Sequence, residues 1–485
     1  MACFLESICL SYPVHLPFFF VILAILYYAS TRLAKNALAT QRILLLAASL
    51  VFYAFADLRF VPFLLYVVVV SWLAGLFCRN RVMFIFSLIA DVAPLLFFKY
   101  SPRDWHTHII FPLGLSFFTF QSISYIADCY TKKITAERSV LTVAQFISFF
   151  PVISSGPIQR ADTLIPQLKT VHHFDYDNAT DGMKLFAWGM FKKLCVADKI
   201  ALYVDYVYGN VPEQYGLALL LATVIYAFQI YFDFSGYSDM AIGVARYLGF
   251  NAGKNFDHPY LSKSVGEFWR RWHISLSSWL RDYVYIPLGG SRVALPRIYL
   301  NLMITFLVSG IWHGSTWSFV VWGLLHGLYQ CVGRAMKPVY EKVTIPAFVR
   351  ICVTFCLVTF AWIFFRAADL SEAFAIIGKI AEVPRNIAGF PALMGEMGAQ
   401  DAIKAVFSFT GASFGSLTGI AKIFAMLFAF LAFNIAIHRH DGLKFIKSFP
   451  IVVRWILYIG LVVFVCKVLL ATDTSYSTNF IYQNF

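Results

Sequence analysis

The sequence predicts an all-α polytopic membrane protein. Of its 485 residues, 60% are hydrophobic and 13% are charged, and the mean hydropathy is +0.70. Apolar runs of about 20 residues, enough to cross roughly 30 Å of hydrocarbon, recur along the whole chain. A chain this apolar has more hydrophobic side chains than a soluble core can bury. We therefore predict one membrane-embedded domain over residues 1–485 rather than several soluble domains.

The chain is basic, with 39 Lys+Arg against 26 Asp+Glu and a formal net charge of +13. In a membrane protein, basic residues collect in cytoplasmic loops and set the orientation, so this charge balance predicts no nucleic-acid partner. The 9 cysteines include no CxxC pair, and most lie in or beside apolar runs, where a thiol acts as a small hydrophobic group. Neither a disulfide framework nor a zinc site is predicted.

Hydropathy predicts about twelve membrane-spanning helices. They lie near residues 16–30, 43–56, 60–78, 82–98, 109–127, 186–203, 216–235, 299–312, 316–333, 348–366, 419–437 and 451–471. The first apolar run has no basic region before it and is followed by Arg32 and Lys35, which favours an uncleaved span over a signal peptide. Connections rich in Lys and Arg are predicted to be cytoplasmic, and 204–215 and 472–485, which lack both, to face outward.

The segment 139–168 does not fit a simple span. An apolar run ends at Pro151, and Gly156 and Pro157 follow closely, which favours a broken or re-entrant segment. Irregular backbone at membrane depth is tolerated only where protein or a wet cavity satisfies its amides and carbonyls. Two interpretations stay open at this point, a re-entrant segment beside a cavity and a loop at the membrane interface.

The segment 236–298 is predicted to be a cytoplasmic interface, because it carries eight basic residues against four acids. Within it we predict one amphipathic helix that lies in the membrane surface. Its apolar side is formed by Trp269, Trp272, Leu276, Trp279, Leu280 and Tyr283, and its polar side by Arg270, Ser277 and Arg281. Further along, 367–418 carries five acids together with Pro and Gly, and is predicted to be an external connection without a span.

Two tryptophan–histidine pairs are the best candidates for chemistry. Trp272-His273 lies in the predicted interfacial helix, and Trp312-His313 lies between Gly310 and Gly314 at the end of a short span. A neutral imidazole accepts a proton from an alcohol near neutral pH, and burial keeps it neutral. An ionisable side chain inside a span is a functional candidate by default. The alternatives are that His313 caps a membrane helix among interfacial aromatics, and that His273, beside Arg270 and Arg271, contacts a phosphate or a lipid headgroup.

Two other polar residues lie inside apolar runs. His326 is a third histidine beside a tryptophan, but its spacing from His313 is not that of a helical ligand pair, so no metal is predicted. Asp233 lies at the end of the predicted span 216–235. It either orients a histidine or lines a cavity, or it caps a helix that begins at Ser238. There is no GxGxxG, GxxxxGK[ST] or GxSxG motif, which removes the usual nucleotide-binding and serine hydrolase patterns.

Several motifs together resemble the bacterial membrane-bound O-acyltransferases of the alginate O-acetyltransferase type, and also the peptidoglycan O-acetyltransferases. They cover residues from about 110 to 330 in the order of that family, and the ending Phe480-Ile481-Tyr482 is also similar, whereas residues 1–15 depart from the usual opening. The motifs are Ser116-Phe117-Phe118-Thr119-Phe120-Gln121, Phe149-Phe150-Pro151 with Gly156-Pro157-Ile158, Gly189 with Phe191-Lys192-Lys193, the Asp233 segment, Phe268 through Gly290, and Trp312-His313-Gly314.

The resemblance implies a ring of about 11–12 transmembrane helices around a central tunnel, with re-entrant and interfacial helices. It implies His313 as the catalytic residue and His273 as the second histidine of the family. Around them we expect Trp312 and Gly314 to shape the wall, with Asp233, Trp269, Trp272 and Arg281 lining the substrate path.

We expect an O-acetyltransferase of the bacterial inner membrane with no cofactor. Acetyl-CoA is the expected donor, because the arginine-rich 236–298 face suits its phosphates. A cell-surface polysaccharide or a periplasmic SGNH-type partner is the expected acceptor, with membrane lipid around the chain. Peptidoglycan, alginate and cellulose remain open as acceptors, with teichoic-acid alanylation and lysolipid acylation as more distant relatives. A transporter or flippase without chemistry and a structural scaffold are the alternatives from other classes.

Overall fold

In the computed structural model, residues 15–101, 111–409 and 442–471 are described, together with isolated positions between 424 and 435. All regular secondary structure in these ranges is helical, so the predicted all-α class is confirmed. Six helical runs within them are long and apolar enough to cross a membrane: Ala37–Phe77, Arg81–Tyr100, Gly216–Tyr247, Leu295–His313, Ala347–Arg366 and Ile451–Leu469. The chain is therefore a multi-pass membrane protein, although fewer runs meet both criteria here than the twelve spans predicted.

Five helices form the N-terminal part. They are α1 (His15–Leu33), α2 (Ala37–Asp57), α3 (Val61–Phe77), α4 (Arg81–Tyr100) and α5 (Leu115–Tyr130). The side chains of Asn36 and Asn80 cap α2 and α4 by accepting from backbone amides three residues ahead. Helices α1 to α4 lie near the first four predicted spans, and α2 to α4 lie within the candidate spans. The fifth begins at Leu115 rather than 109, because Gly114 takes a left-handed conformation with φ of 69° at the helix start.

The predicted broken segment is present. Helix α6 (Val140–Ser148) and helix α7 (Ala161–Leu168) are separated by an irregular stretch, and every residue from 149 to 159 is buried. Protein groups satisfy its polar atoms: the amide of Phe150 donates to Ser49 Oγ at 3.3 Å, and Gln159 Nε2 donates to the Ala252 carbonyl at 3.0 Å. This burial fits a segment broken inside the protein rather than a loop on its surface.

Three consecutive helical segments pack against one long helix. A run of α8 (Tyr176–Met190), a π-helical segment (Phe191–Ala197) and α9 (Asp198–Tyr208) lies against α10 (Gly216–Tyr247). Glycines at 182 and 189 face glycines at 243 and 236, and a Cβ on Gly189 would lie 2.5 Å from the Gly236 carbonyl oxygen. Small residues at a spacing of seven let the two helix backbones approach.

Helix α10 shows that the predicted span 216–235 is too short. The helix continues to Tyr247, so Asp233 lies inside it and caps no helix beginning at Ser238. In this continuation Asp233, Ser235 and Asp239 contact lysines of the π-helical segment. A hydropathy scale penalises such polar residues one by one and takes no account of partners elsewhere in the chain.

The prediction of a single amphipathic helix within 236–298 is also wrong. The chain forms α11 (Val265–Arg271), α12 (Ile274–Leu280) and a short π-helical segment (Arg281–Tyr285), with a break at His273, whose φ is 41°. The predicted division into two sides holds, since Trp269, Trp272 and Trp279 are buried while Arg270 and Arg281 are exposed. The placement of this segment in a membrane surface stays a prediction.

The remaining helices complete the described fold. They are α13 (Leu295–His313), α14 (Trp317–Ala335), α15 (Lys337–Lys342), α16 (Ala347–Arg366), α17 (Leu370–Ala381), α18 (Val383–Met397), α19 (Ala399–Val406), α20 (Gly442–Lys447) and α21 (Ile451–Ala471). In the described portion of 367–418 the three short helices α17 to α19 include no candidate span, and the external position of this connection stays a prediction. Most of the predicted span 419–437, the outward segment 472–485 and residues 1–14 lie outside the described residues.

Candidate active site

His313 is the last residue of α13, and neighbouring helices fix that helix end. Helices α13 and α14 touch at Gly310 and Gly323, where a Cβ on Gly310 would lie 2.4 Å from the Phe319 carbonyl oxygen. From α4, Lys99 Nζ donates to the Trp312 carbonyl and Tyr100 Oη donates to the Ile311 carbonyl at 2.6 Å. These are carbonyls of the last turn, which the helix itself leaves without amide partners. The helix end that presents His313 is thus held by two elements.

The imidazole of His313 is 1% exposed and has a defined tautomer. Its Nδ1 lies 2.7 Å from the Ser309 carbonyl oxygen, one turn back in the same helix. A carbonyl oxygen only accepts, so Nδ1 carries the hydrogen and a neutral ring has its lone pair on Nε2. Aromatic rings enclose it, with centroids at 4.7 Å for Trp312, 4.7 Å for Trp322 and 5.5 Å for Phe365.

His273 lies at the break between α11 and α12 and is 0% exposed. Its Nδ1 lies 3.1 Å from Oδ1 of Asn255, a buried residue in the connection between α10 and α11. Burial, and the nearby His313, hold the pKa of His273 well below its ordinary value, so the ring is neutral. The ring contacts Phe234, with centroids at 4.7 Å, and Trp312, with centroids at 6.4 Å.

Trp312 connects the two candidate histidines. Its ring centroid lies 6.4 Å from that of His273 and 4.7 Å from that of His313, and its ring is stacked on Phe120 at 5.0 Å. Phe120 in turn stacks on Trp279 at 4.0 Å, and the Trp279 indole N–H donates to the Phe120 carbonyl at 2.8 Å. The structure therefore brings two residues predicted from separate motifs forty positions apart into contact with one indole.

His326 has the opposite tautomer. The Trp269 indole N–H can only donate, and it lies 3.1 Å from His326 Nδ1, so Nδ1 holds the lone pair and Nε2 carries the hydrogen. The ring is 0% exposed and packs on Trp322 at 5.0 Å. Trp322 therefore contacts both His313 and a third imidazole. Nε2 of His326 carries a hydrogen and is a donor, whereas Nε2 of His313 carries a lone pair and is an acceptor. In the described ranges no group of three or more His, Cys, Asp or Glu side chains is arranged to hold a metal ion.

Asp233 forms an ion pair with one of two adjacent lysines in the π-helical segment. Lys193 Nζ lies 2.8 Å from Asp233 Oδ1 and 2.8 Å from Asp198 Oδ1, and Lys192 Nζ lies 2.6 Å from Asp239 Oδ2. The two adjacent lysines both reach α10 because the π-helical segment widens the turn between them. The Lys192-Lys193 motif therefore supplies buried countercharges for the α8–α10 packing.

The other predicted site residues lie at different distances from the histidines. The Trp272 ring stacks on that of Phe268, with centroids 5.4 Å apart, within the buried aromatic cluster. Gly314 directly follows His313 and lies against the Phe319 ring. Arg281, in contrast, is 63% exposed and its Nε donates to Asp282 Oδ1 at 2.8 Å. The structure thus places Trp269, Trp272 and Gly314 near the site and Arg281 on the exposed face.

Sequence reasoning missed four residues of this site. Lys99 is a single cation at the end of an apolar run, a signal that was present but not used. Asn255 stands in a polar connection with no periodic pattern that marks it. Trp362 and Phe365 of α16 complete the aromatic enclosure, and their spacing of three within an apolar helix is that of any core-facing stripe.

Comparisons with known proteins agree with this architecture. Residues 113–368, which run from the start of α5 past the end of α16, match the model of the membrane-bound O-acyltransferase family. A peptidoglycan O-acetyltransferase of Helicobacter pylori is 35% identical over 398 residues, 72% of this chain and 75% of that protein. A probable alginate O-acetylase of Azotobacter vinelandii is 38% identical over 372 residues, 72% and 73% of the two chains. A teichoic acid D-alanyltransferase of Bacillus subtilis is 30% identical over 260 residues, 50% and 65%. The chain belongs to the membrane-bound O-acyltransferase family and is an acyltransferase.

Proposed function

We propose that this enzyme transfers acetyl groups from acetyl-CoA to a hydroxyl group on a cell-surface polysaccharide or on a periplasmic SGNH-type partner, from a position in the bacterial inner membrane. The observation that carries this proposal is the buried His313, whose Nδ1 hydrogen is committed to Ser309 and whose Nε2 carries the lone pair. Membership in an acyltransferase family argues against the transporter and scaffold alternatives.

The proposed chemistry is a direct acyl transfer. His313 Nε2 takes the proton of the acceptor hydroxyl while the hydroxyl oxygen attacks the thioester carbonyl carbon, and the carbon–sulfur bond then breaks. The proton on the imidazolium passes to the leaving thiolate, so the products are an O-acetyl ester and free CoA thiol. A neutral imidazole is the required starting state, and the aromatic enclosure of Trp312, Trp322 and Phe365 favours it by excluding water.

An acetyl donor is supported by the relatives and by charge. The peptidoglycan and alginate relatives, named as acetylating enzymes, match over about three quarters of their length, whereas the named alanyltransferase matches over 65%. The connection after α10 and the first turn of α13 expose several basic side chains that suit a donor with several phosphates. They are Lys254, Lys263, Arg270, Arg281, Arg292 and Arg297.

The test uses purified protein in proteoliposomes with acetyl-labelled acetyl-CoA, and de-O-acetylated alginate or peptidoglycan sacculi as acceptors. We expect alkali-labile label on one polymer, and a decrease of at least ~100-fold in His313→Ala, the usual contribution of a general base. His173→Ala, at an exposed histidine, is the matched control. Ester formation by folded His313→Ala at the wild-type rate would show that the proposed role is wrong.

Offering both polymers also separates the acceptors. The alginate and peptidoglycan relatives are 38% and 35% identical to this chain, so identity alone does not choose between them. Label on sacculi alone assigns peptidoglycan, and label on alginate alone assigns an exopolysaccharide. Label on neither polymer until an SGNH-type protein is added assigns the acceptor to that protein.

A further inference from the structure

The best-defined polar network near the site centres on Asn255. This residue is 1% exposed and makes hydrogen bonds with both of its side-chain ends. Its Oδ1 accepts from the Ser275 amide at 3.3 Å and from Ser275 Oγ at 2.9 Å, beside the contact with His273. Its Nδ2 donates to Ser238 Oγ at 2.9 Å, and that hydroxyl donates to the Ser155 carbonyl at 3.2 Å.

The direction of every bond in this chain follows from its two ends. The Ser155 carbonyl can only accept, so the Ser238 hydroxyl gives its hydrogen there and receives one from the Asn255 amide. At the other end the Ser275 amide can only donate, so the oxygen of Asn255 faces it. That oxygen also faces His273, and Nδ1 of His273 must therefore be the donor. This chain of hydrogen bonds thus leaves the lone pair of the neutral His273 ring on Nε2, as the Ser309 carbonyl does for His313.

The same residue holds the backbone at the break. The Asn255 carbonyl accepts from the Ile274 amide at 2.9 Å, directly after His273, and the Asp257 amide donates to the Arg271 carbonyl at 2.9 Å. His273 has a φ of 41°, a left-handed conformation that costs a non-glycine residue on the order of 1 kcal/mol and persists only where surrounding bonds impose it. Asn255 therefore fixes both the backbone and the ring of His273.

We propose that Asn255 is a positioning residue of the acyltransferase, which sets the tautomer and orientation of His273 so that its Nε2 faces the reaction site. This inference rests on the proposed function and extends it to a residue outside the family motifs quoted above. The uncharged residues Phe117, Phe234, Trp312 and Asn255 face the ring, and His313 is the ionisable group nearby.

Two substitutions separate positioning from packing. Asn255→Ala removes the acceptor of the His273 Nδ1 hydrogen, and the rate per folded molecule is expected to decrease on the order of 10- to 100-fold, as when a partner that orients a metal-bound imidazole is lost. Asn255→Asp keeps an acceptor for His273 and Ser275, so most of the rate is expected to return. Its negative charge favours the imidazolium, which raises the pKa of His273 and moves the acidic limb of the pH–rate profile to higher pH.

The control is Asn301→Ala, which removes a buried amide from α13 whose Nδ2 donates to the Gly290 carbonyl at 3.1 Å. Its rate per folded molecule is expected to match wild type. The positioning role is refuted if Asn255→Ala keeps the wild-type rate, or if Asn255→Asp is as impaired as the alanine variant with an unmoved acidic limb. His313→Ala in the same preparation distinguishes the two proposals. If it is active, the proposed function fails, and if it is inactive while Asn255→Ala is not, only the positioning role fails.

Discussion

The buried pair of Lys193 and Asp233 should be the largest single electrostatic contribution to the stability of the packing between the π-helical segment and α10. Their side chains are 5% and 2% exposed and their charged atoms lie 2.8 Å apart. At an effective dielectric constant of 20, charges at this separation attract by about 6 kcal/mol before the cost of burying them. Removing one partner of such a pair leaves an uncompensated buried charge and typically costs about 3–5 kcal/mol.

Lys193→Met is therefore expected to destabilise the protein by about 3–5 kcal/mol. Asp233→Asn should cost less, because the amide oxygen still accepts from Lys193 and the lysine keeps Asp198 as its counterion. The double variant should be more stable than Lys193→Met alone, since the charge left without a partner is gone. The free energies of unfolding of all four proteins, measured by denaturant titration in mixed micelles, form a double-mutant cycle.

Lys199→Met is the matched control, since it removes a half-buried cation from the same helical run, and a shift within about 0.5 kcal/mol is expected there. The reasoning is refuted if the two single substitutions add in the double variant. Additivity would mean that Lys193 and Asp233 have no interaction energy and that Asp233 is stabilised by some other group. The prediction that Asp233 orients a histidine would then regain support.

Two further predictions concern the helix end that carries His313. Lys99→Met removes a charged donor from its last turn, a bond worth about 1.5–3 kcal/mol, and acetyl transfer should decrease roughly tenfold or more while Lys99→Arg restores part of it; an unchanged rate in Lys99→Met contradicts the capping role. Gly310→Leu should prevent accumulation of folded protein in membranes, because its Cβ would lie 2.4 Å from a backbone oxygen of α14, whereas Gly460→Leu, with nothing within 4 Å, should accumulate as wild type. Equal accumulation of both would contradict the close approach of α13 and α14.

Local sequence signals predicted a large part of the fold. Apolar runs located helices α1 to α4, and the proline and glycine after Phe150 located the break between α6 and α7. The tryptophan–histidine pairs identified both imidazoles that the structure places beside Trp312. These features succeed because their cause lies within a few residues, either in a side chain's solubility or in a backbone restriction.

The remainder depends on partners distant in the sequence. Helix α10 continues through Asp233 because Lys193, forty residues earlier, supplies a countercharge. The break at His273 has no glycine or proline to mark it, and the bonds that hold it come from Asn255. Lys99 caps a helix end more than two hundred positions later. A prediction that scores each residue by its own polarity cannot identify such pairs, so these residues were missed or misplaced.

The two histidines beside Trp312 are oriented in physically different ways, and this sets how robust each is. His313 donates to the carbonyl four residues earlier in its own helix, so its tautomer follows from the helix itself and survives any change that leaves α13 intact. His273 lies at a break and obtains its tautomer through Asn255, which Ser275, Ser238 and Ser155 orient. Ser238, Ser155 and Asn255 belong to α10, the buried break after α6 and the α10–α11 connection. Loosening any of these three elements should therefore disorder His273 first. If acyl transfer tolerates that loosening, His313 alone carries the proton transfer and His273 serves the fold.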